Sequence, residues 1–171
     1  TQASNSIQRA VNVAISGDTV NVSAGNFNED VSMLGQPSMT LLGAGAASTT
    51  ITGQPLGANE TVLLDSNQTV DGFTITRLLG LGENNLGLTQ ASGGTGSIVR
   101  NSIFTGNRTA IYVNGSNDQI TITRNVITNN RTGILFADTT HGASQITENA
   151  IVNNKTFGIL FLPSITSISA G

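Results

Sequence analysis

The chain has 171 residues and a mass of 17.6 kDa, with 7 Lys+Arg against 10 Asp+Glu, a net charge of -3, and no cysteine. At this length one domain is expected, the acidic balance argues against a nucleic-acid partner, and the lack of cysteine excludes a disulfide framework or a thiolate metal site. Apolar runs are short, such as Gly158 to Leu162, so none spans a bilayer, while 37% hydrophobic residues is too many for a disordered tail.

The first residues, Thr1-Gln-Ala-Ser4, have neither a basic n-region nor an apolar h-region, so the chain reads as a mature protein after cleavage. Polar residues are dominated by 19 Asn, 23 Thr, 16 Ser and 20 Gly, with lysine at Lys155 alone. That composition suits a microbial surface. Seven Asn-x-Ser/Thr sequons, at Asn21, Asn59, Asn67, Asn107, Asn114, Asn130 and Asn154, are candidate N-glycosylation sites. The expected location is therefore extracellular or on the cell surface.

Apolar residues at Ile7, Val11, Ala14 and Ile15 have helical spacing, and Gly17-Asp18 ends that segment. Residues 1–17 are expected to form a capping segment and residues 18–171 the body of one domain. Strand patterns begin at Thr19-Val-Asn-Val22 and continue through Gly25-Asn-Phe-Asn-Glu-Asp-Val31, Met39-Thr-Leu-Leu-Gly-Ala-Gly45 and Thr50-Ile-Thr-Gly53.

From about residue 98 onward the sequence repeats. Asn101, Asn125 and Asn149 are evenly spaced, as are Ile98, Ile122 and Ile146, and Ile103, Ile127 and Ile151. All three series share one period, of about 24 residues. A looser copy runs Val70-Asp-Gly-Phe-Thr-Ile75. Each copy alternates apolar and polar residues over short stretches, separated by Asn and Gly pairs that tolerate a left-handed backbone. Such a repeat holds about three strands and three turns, one coil of a β-solenoid. Stacked coils lie about 4.8 Å apart, so equivalent residues form columns along the axis. Asn101, Asn125 and Asn149 are expected to form a structural amide ladder, with the two isoleucine series stacked inside. The length then allows six or seven coils.

The stretch from Ser6 to Gly53 resembles the opening of the right-handed parallel β-helix proteins, the pectate-lyase-like and pectinesterase-like group. The resemblance implies an all-β fold, a right-handed parallel β-helix with one sequence repeat per coil. It implies as well a short N-terminal α-helix covering one end of the core. It also implies a test for catalysis. Lyases of this group hold Ca²⁺ on clustered carboxylates and use an arginine base, hydrolases need two or three stacked Asp, and esterases use paired Asp with Gln and Arg.

The acids here are Asp18, Glu29, Asp30, Glu60, Asp65, Asp71, Glu83, Asp118, Asp138 and Glu148. Aligned on the repeat, Asp71 falls opposite Val99, Thr123 and Thr147, and Glu148 aligns with Arg124 and Arg100. No carboxylate pair emerges. Thr69-Val-Asp-Gly-Phe73 echoes an esterase-like string, broken by Gly72. His141, the single histidine, is placed beside Asp138 as a candidate general base, but without a nucleophile or a second histidine it reads as an exposed loop residue. No catalytic residue, metal ligand or cofactor is expected.

Arg108, Arg131 and Lys155 recur after the second turn of each coil, a positive strip suited to the anionic groups of a cell-surface polysaccharide, or a solvated turn edge that blocks sideways pairing. Beyond Leu162 nothing resembles a cap, so either the chain is a fragment whose further coils are missing, or its C-terminal coil is open and available for self-association. The functional expectation is a non-catalytic structural protein, a subunit of a self-assembling surface layer, sheath or fibre. The alternative is a polysaccharide-binding or polysaccharide-degrading module.

Overall fold

A computed structural model describes residues 6–55, 57–77, 85–115, 118–137 and 143–162. Glu83, Asp138, His141 and the segment after Leu162 lie outside the described residues.

After the helix α1 (Ile7–Val11), the first rung consists of β1 (Thr19–Val22), β2 (Gly25–Asn28) and β3 (Val31–Ser32). The second rung is β4 (Thr40–Gly43), β5 (Thr49–Gly53) and β6 (Glu60–Leu64), and the third is β7 (Thr69–Asp71), β8 (Thr74–Arg77) and β9 (Leu86–Gln90). Next come β10 (Ser97–Arg100), β11 (Ile103–Phe104) and β12 (Thr109–Val113), then β13 (Ile120–Thr123), β14 (Val126–Thr128) and β15 (Thr132–Ala137). The sixth rung holds β16 (Gln145–Thr147), β17 (Ala150–Val152) and β18 (Phe157–Leu162). Every third strand pairs in parallel, giving three six-stranded sheets in a right-handed β-solenoid of about five turns and about 24 residues per turn. Among the described residues six rungs stack, and the second and third are longer than the repeat. Thr40 pairs with Thr69 and Thr69 with Ile98, whereas the later pairing of Thr121 with Gln145 spans a shorter stretch of chain.

Period-two alternation sends one residue of each pair inward, and stacking converts those residues into continuous columns. Val20, Leu41, Val70, Val99, Ile122 and Ile146 form the column of the first sheet. Phe27, Ile51, Ile75, Phe104, Ile127 and Ile151 form that of the second. In the third sheet Val31, Val62, Leu88, Ile111, Ile134 and Ile159 stack likewise. Each fully buried Leu, Ile or Phe contributes about 1.5–3 kcal/mol relative to exposure.

These registers correct two of the expected stacks. The step from the fourth to the fifth rung is one residue shorter than the repeat, so Val99 rather than Ile98 stands under Ile122. For the same reason Phe104, not Ile103, stands under Ile127. The displaced Ile98 and Ile103 are only half-buried, on the outer face.

Helix α1 closes the first end of the core, with Ile7, Ala10 and Val11 buried. Its free N–H groups are met from the first rung. Glu29 accepts hydrogen bonds from Ile7 N (2.8 Å) and from Gln8 N (3.1 Å) and Ser6 Oγ (3.0 Å). A carboxylate there also complements the positive end of the helix dipole. The helix ends at Val11, so Ile15, expected on its apolar face, is exposed. Among the described residues no helix is long and apolar enough to cross a membrane.

Candidate functional site

The turns between sheets decide which polar residues are free for function. Turning from the first sheet to the second requires one left-handed residue per rung, filled by Asn101 (φ 51°), Arg124 (φ 56°) and Glu148 (φ 57°) in the last three rungs. Asn101 is therefore equivalent to Arg124 and Glu148, and it does not belong to the column expected of it. Ser102 occupies that place: Ser102 N donates to Asn125 Oδ1 (3.0 Å), and Asn125 N donates to Asn149 Oδ1 (2.9 Å). The same short step that shifted the isoleucines shifted Asn101.

A second asparagine column sits at the next turn, where the sequence shows only sequons. Asn107 N and Nδ2 donate to Asn130 Oδ1 (both 3.0 Å), and Asn130 N and Nδ2 donate to Asn154 Oδ1 (both 3.1 Å). Asn107 and Asn130 are 3% and 0% exposed, so a glycan on either Nδ2 would displace bonds inside the fold. Asn154 Nδ2 donates to Ile127 O (2.9 Å). The exposed sequon asparagines are Asn21, Asn59, Asn67 and Asn114. The missed signal was the Thr two residues after each buried Asn, which begins the next strand rather than marking an acceptor.

Most described carboxylates serve the backbone. Asp18 Oδ2 accepts from Ile15 N (2.9 Å), Asp65 from Gly35 N (2.9 Å) and Ser66 N (2.7 Å), and Asp118 from Gly93 N (2.6 Å) and Gly115 N (2.8 Å). Asp71 does not face Val99: it pairs with Arg100, whose Nε lies 2.7 Å from Oδ2, while Asn101 Nδ2 donates to Oδ1 at 2.8 Å. Glu148 pairs with Arg124 at 2.7 Å, both well exposed, a contact of small energetic weight.

Asp30 and Arg77 form an ion pair that no repeat predicted, because Asp30 lies in the turn between β2 and β3 and Arg77 at the end of β8, two rungs on. Arg77 Nη1 is 2.9 Å from Asp30 Oδ1, with the two side chains 2% and 15% exposed. Asp30 also accepts from Gln54 N (3.0 Å) and Ala58 N (2.8 Å), and Arg77 Nη2 donates to the carbonyls of Gln54 and Ala58. The pair thereby pins the backbone at both ends of residues 54–58. Glu60 lies close enough to feel both charges. Burial pushes its carboxyl above the ordinary value, Arg77 opposes that rise, and Asp30 adds to it. Among the described residues no cluster of three metal-ligating side chains occurs.

The expected basic strip follows one turn up the solenoid. Arg131 N donates to Asn107 O (3.1 Å) and Lys155 N to Asn130 O (2.8 Å), the same parallel pairing on successive rungs. Arg108 and Arg131 border a groove of about 350 Å³ on the outer face of the third sheet, whereas Lys155 is not part of its lining. The floor is apolar, with Leu86, Tyr112, Leu135 and Leu160, and no carboxylate lines it. Tyr112, Leu135 and Leu160 are register partners, which makes this floor continuous across three rungs. Burial raises the Tyr112 phenol above its ordinary value. Two guanidiniums beside an aromatic and aliphatic floor can hold a ligand with one apolar face and anionic substituents.

The family described as "Right handed beta helix region" matches residues 47–167. A search of curated proteins finds no match. Among solved structures the fold is similar to a pectin methylesterase from carrot, with 17% identity and a TM-score of 0.54, covering 83% of this chain and 59% of that one. It is also similar to a pectin methylesterase mutant in complex with hexasaccharide IV, with 12% identity and a TM-score of 0.50, covering 78% of this chain and 51% of that one. The chain thus spans little more than half the length of either structure, and at these identities the likeness is one of fold. With a family match over most of its length and three parallel sheets coiled into one solenoid, the chain belongs to the right-handed β-helix family.

Proposed function

We propose that this chain is a non-catalytic, extracellular β-helical module that serves as a rigid surface scaffold and holds acidic polysaccharide in the groove beside Arg108 and Arg131. The groove carries this reading: two guanidiniums on successive rungs border a floor of Tyr112, Leu135 and Leu160. Their spacing of one rung, about 4.8 Å, suits anionic groups repeated along a bound chain, and the tyrosine ring offers a face to a sugar. The pectin methylesterase neighbours, one of them in complex with a hexasaccharide, support the choice of ligand class. The non-catalytic part draws support from the employment of Glu29, Asp30, Asp65, Asp71 and Asp118 in helix capping, loop pinning and turn bonds.

Isothermal titration with oligogalacturonate, against a neutral glucan of equal length, tests the reading. The anionic ligand is expected to bind and the neutral one not. Binding should weaken with added salt, and Arg108→Ala with Arg131→Ala should lower affinity by about tenfold or more. Equal binding of both glycans sinks the acidic-ligand reading. Methanol release from methyl-esterified pectin, or unsaturated product from pectate with Ca²⁺, sinks the non-catalytic one.

A further inference from the structure

The turn that leads from the third sheet back to the first, between β12 and β13, carries a self-reactive pair of residues. Asn114 follows β12 and is exposed, and Gly115 comes next, buried. Among the 19 asparagines of the sequence, Asn114 alone precedes a glycine. The backbone nitrogen after an asparagine can attack the side-chain carbonyl carbon, and glycine leaves that approach free of a Cβ. Packing requires the glycine as well, since Ser92 leaves no room for a Cβ at this position. The asparagines of the two columns, by contrast, have their amides tied down by one another and by backbone carbonyls. Among the described residues nothing hydrogen-bonds the Asn114 side chain.

The attacking nitrogen itself is held. Gly115 N donates to Asp118 Oδ2 (2.8 Å), and Asp118 Oδ1 accepts from Gly93 N (2.6 Å) in the equivalent turn one rung earlier. Asp118 is 0% exposed, so this carboxylate joins two turns away from bulk water. Attack requires the nitrogen to lose its proton. In the closed turn that proton is bound to a carboxylate, and an amide anion would form against a second negative charge. A charge-assisted bond of this kind favours the closed turn over the open one by about tenfold to a hundredfold.

We propose that Asn114–Gly115 is a site of spontaneous deamidation governed by Asp118: stable while the turn is closed, and converted to aspartate and isoaspartate once it opens. In the open turn hydroxide takes the Gly115 N–H proton, the nitrogen bonds to Asn114 Cγ, and Nδ2 leaves as ammonia after accepting a proton from water. Water then adds to either carbonyl of the resulting succinimide and breaks that carbon's bond to the Gly115 nitrogen. Overall one water is consumed, one ammonia is released and no electrons are exchanged. The product places a new negative charge next to the residue that Asp118 binds, and the isoaspartyl form lengthens the backbone by one atom. Both oppose closing of the turn, so the conversion is one-way and marks chains in which this turn has opened.

Incubation of the 171-residue chain at pH 7, native and in denaturing guanidinium chloride, followed by trypsin and mass spectrometry, tests the site. Cleavage after Arg108 and Arg124 releases residues 109–124, and fragmentation distinguishes Asn114 from Asn117. Asn114 is expected to convert in the unfolded chain and at least about tenfold more slowly in the native one. Asp118→Asn keeps a side-chain acceptor without the charge and should speed native conversion by about tenfold, with the far-ultraviolet spectrum unchanged. Should that variant unfold, the parent chain in guanidinium below its unfolding transition supplies the same reading. Conversion at Asn114 should rise there ahead of global unfolding, and conversion that tracks global unfolding alone overturns the proposal. No conversion in the unfolded chain overturns the site, and so does equal native conversion at Asn114 and Asn117. Equal native and unfolded rates, or a native rate unmoved by Asp118→Asn, overturn the control by Asp118. None of these readouts depends on glycan binding in the groove.

Discussion

The first three rungs and the last three hold the backbone between their strands by different means. In the last three, at steps of 23 and 24 residues, asparagine amides meet asparagine amides: Asn125 with Asn149, and Asn107 with Asn130 and Asn154. In the first three, each turn has its own solution: Glu29 caps α1, Asp30 with Arg77 pins residues 54–58, and Gln68 Nε2 donates to Met33 O at 2.7 Å while its Oε1 accepts from Asp65 N at 2.8 Å. The chemistry of the side chain explains the division. An amide both donates and accepts, so each one can hand the bond to the next rung, and a column grows without limit. An ionised carboxylate only accepts. It ends a bond network wherever it stands, and a stack of them would repel. Columns that continue from rung to rung are therefore built from Asn, while carboxylates hold single turns, as Asp65 and Asp118 do.

The irregular half should show the greatest loss. Arg77→Ala leaves the Asp30 carboxylate buried without its cation, and the expected loss is about 3–5 kcal/mol in urea unfolding. A loss below about 1 kcal/mol would mean that residues 54–58 are held by something other than this pair.

Substitutions in the regular half separate column members from turn residues. Asn130→Ala removes the acceptor for Asn107 N and the donor to Phe104 O, and should cost about 2–4 kcal/mol, since buried partners are stranded on both sides. Asn101→Ala loses an exposed left-handed residue and one bond to Asp71, for about 1 kcal/mol. Equal costs at the two sites would contradict that distinction.

Glu60 carries the weakest effect. Its carboxyl is raised above the ordinary 4.5 by burial, so the fold prefers the protonated form. That contribution is fully present below the unfolded value and is lost as pH rises through the folded one. Glu60→Gln should therefore melt at a higher temperature than the parent chain at pH 7 and at about the same temperature near pH 4. A substitution that lowers the melting temperature at pH 7 would show that Glu60 is held chiefly as an anion by Arg77.

The columns themselves were only partly legible. A repeat of 24 residues is visible as Asn125 and Asn149, or Ile127 and Ile151, because each rung buries the same face against the same neighbours. A single shorter step breaks such counting. Sequence similarity puts Asn101 with Asn125, yet backbone pairing puts Ser102 there, since hydrogen-bond register is decided by the chain's actual path. The basic strip was readable for a related reason. Arg108, Arg131 and Lys155 follow the second asparagine of each rung, and the one-residue slip lies equally in both. The groove floor was not readable, because Leu86, Tyr112 and Leu135 look like ordinary strand residues until the sheet shows which way they point.

The all-β solenoid, its repeat of about 24 residues in the later rungs and the capped first end were specified by sequence, because period-two burial is local and repeats. Three features came from packing in three dimensions: the partnership of Asp30 with Arg77, the burial of Asn107 and Asn130, and the convergence of two arginines on an apolar floor. Those contacts join residues 23 to 47 positions apart, where register between rungs outweighs any local preference.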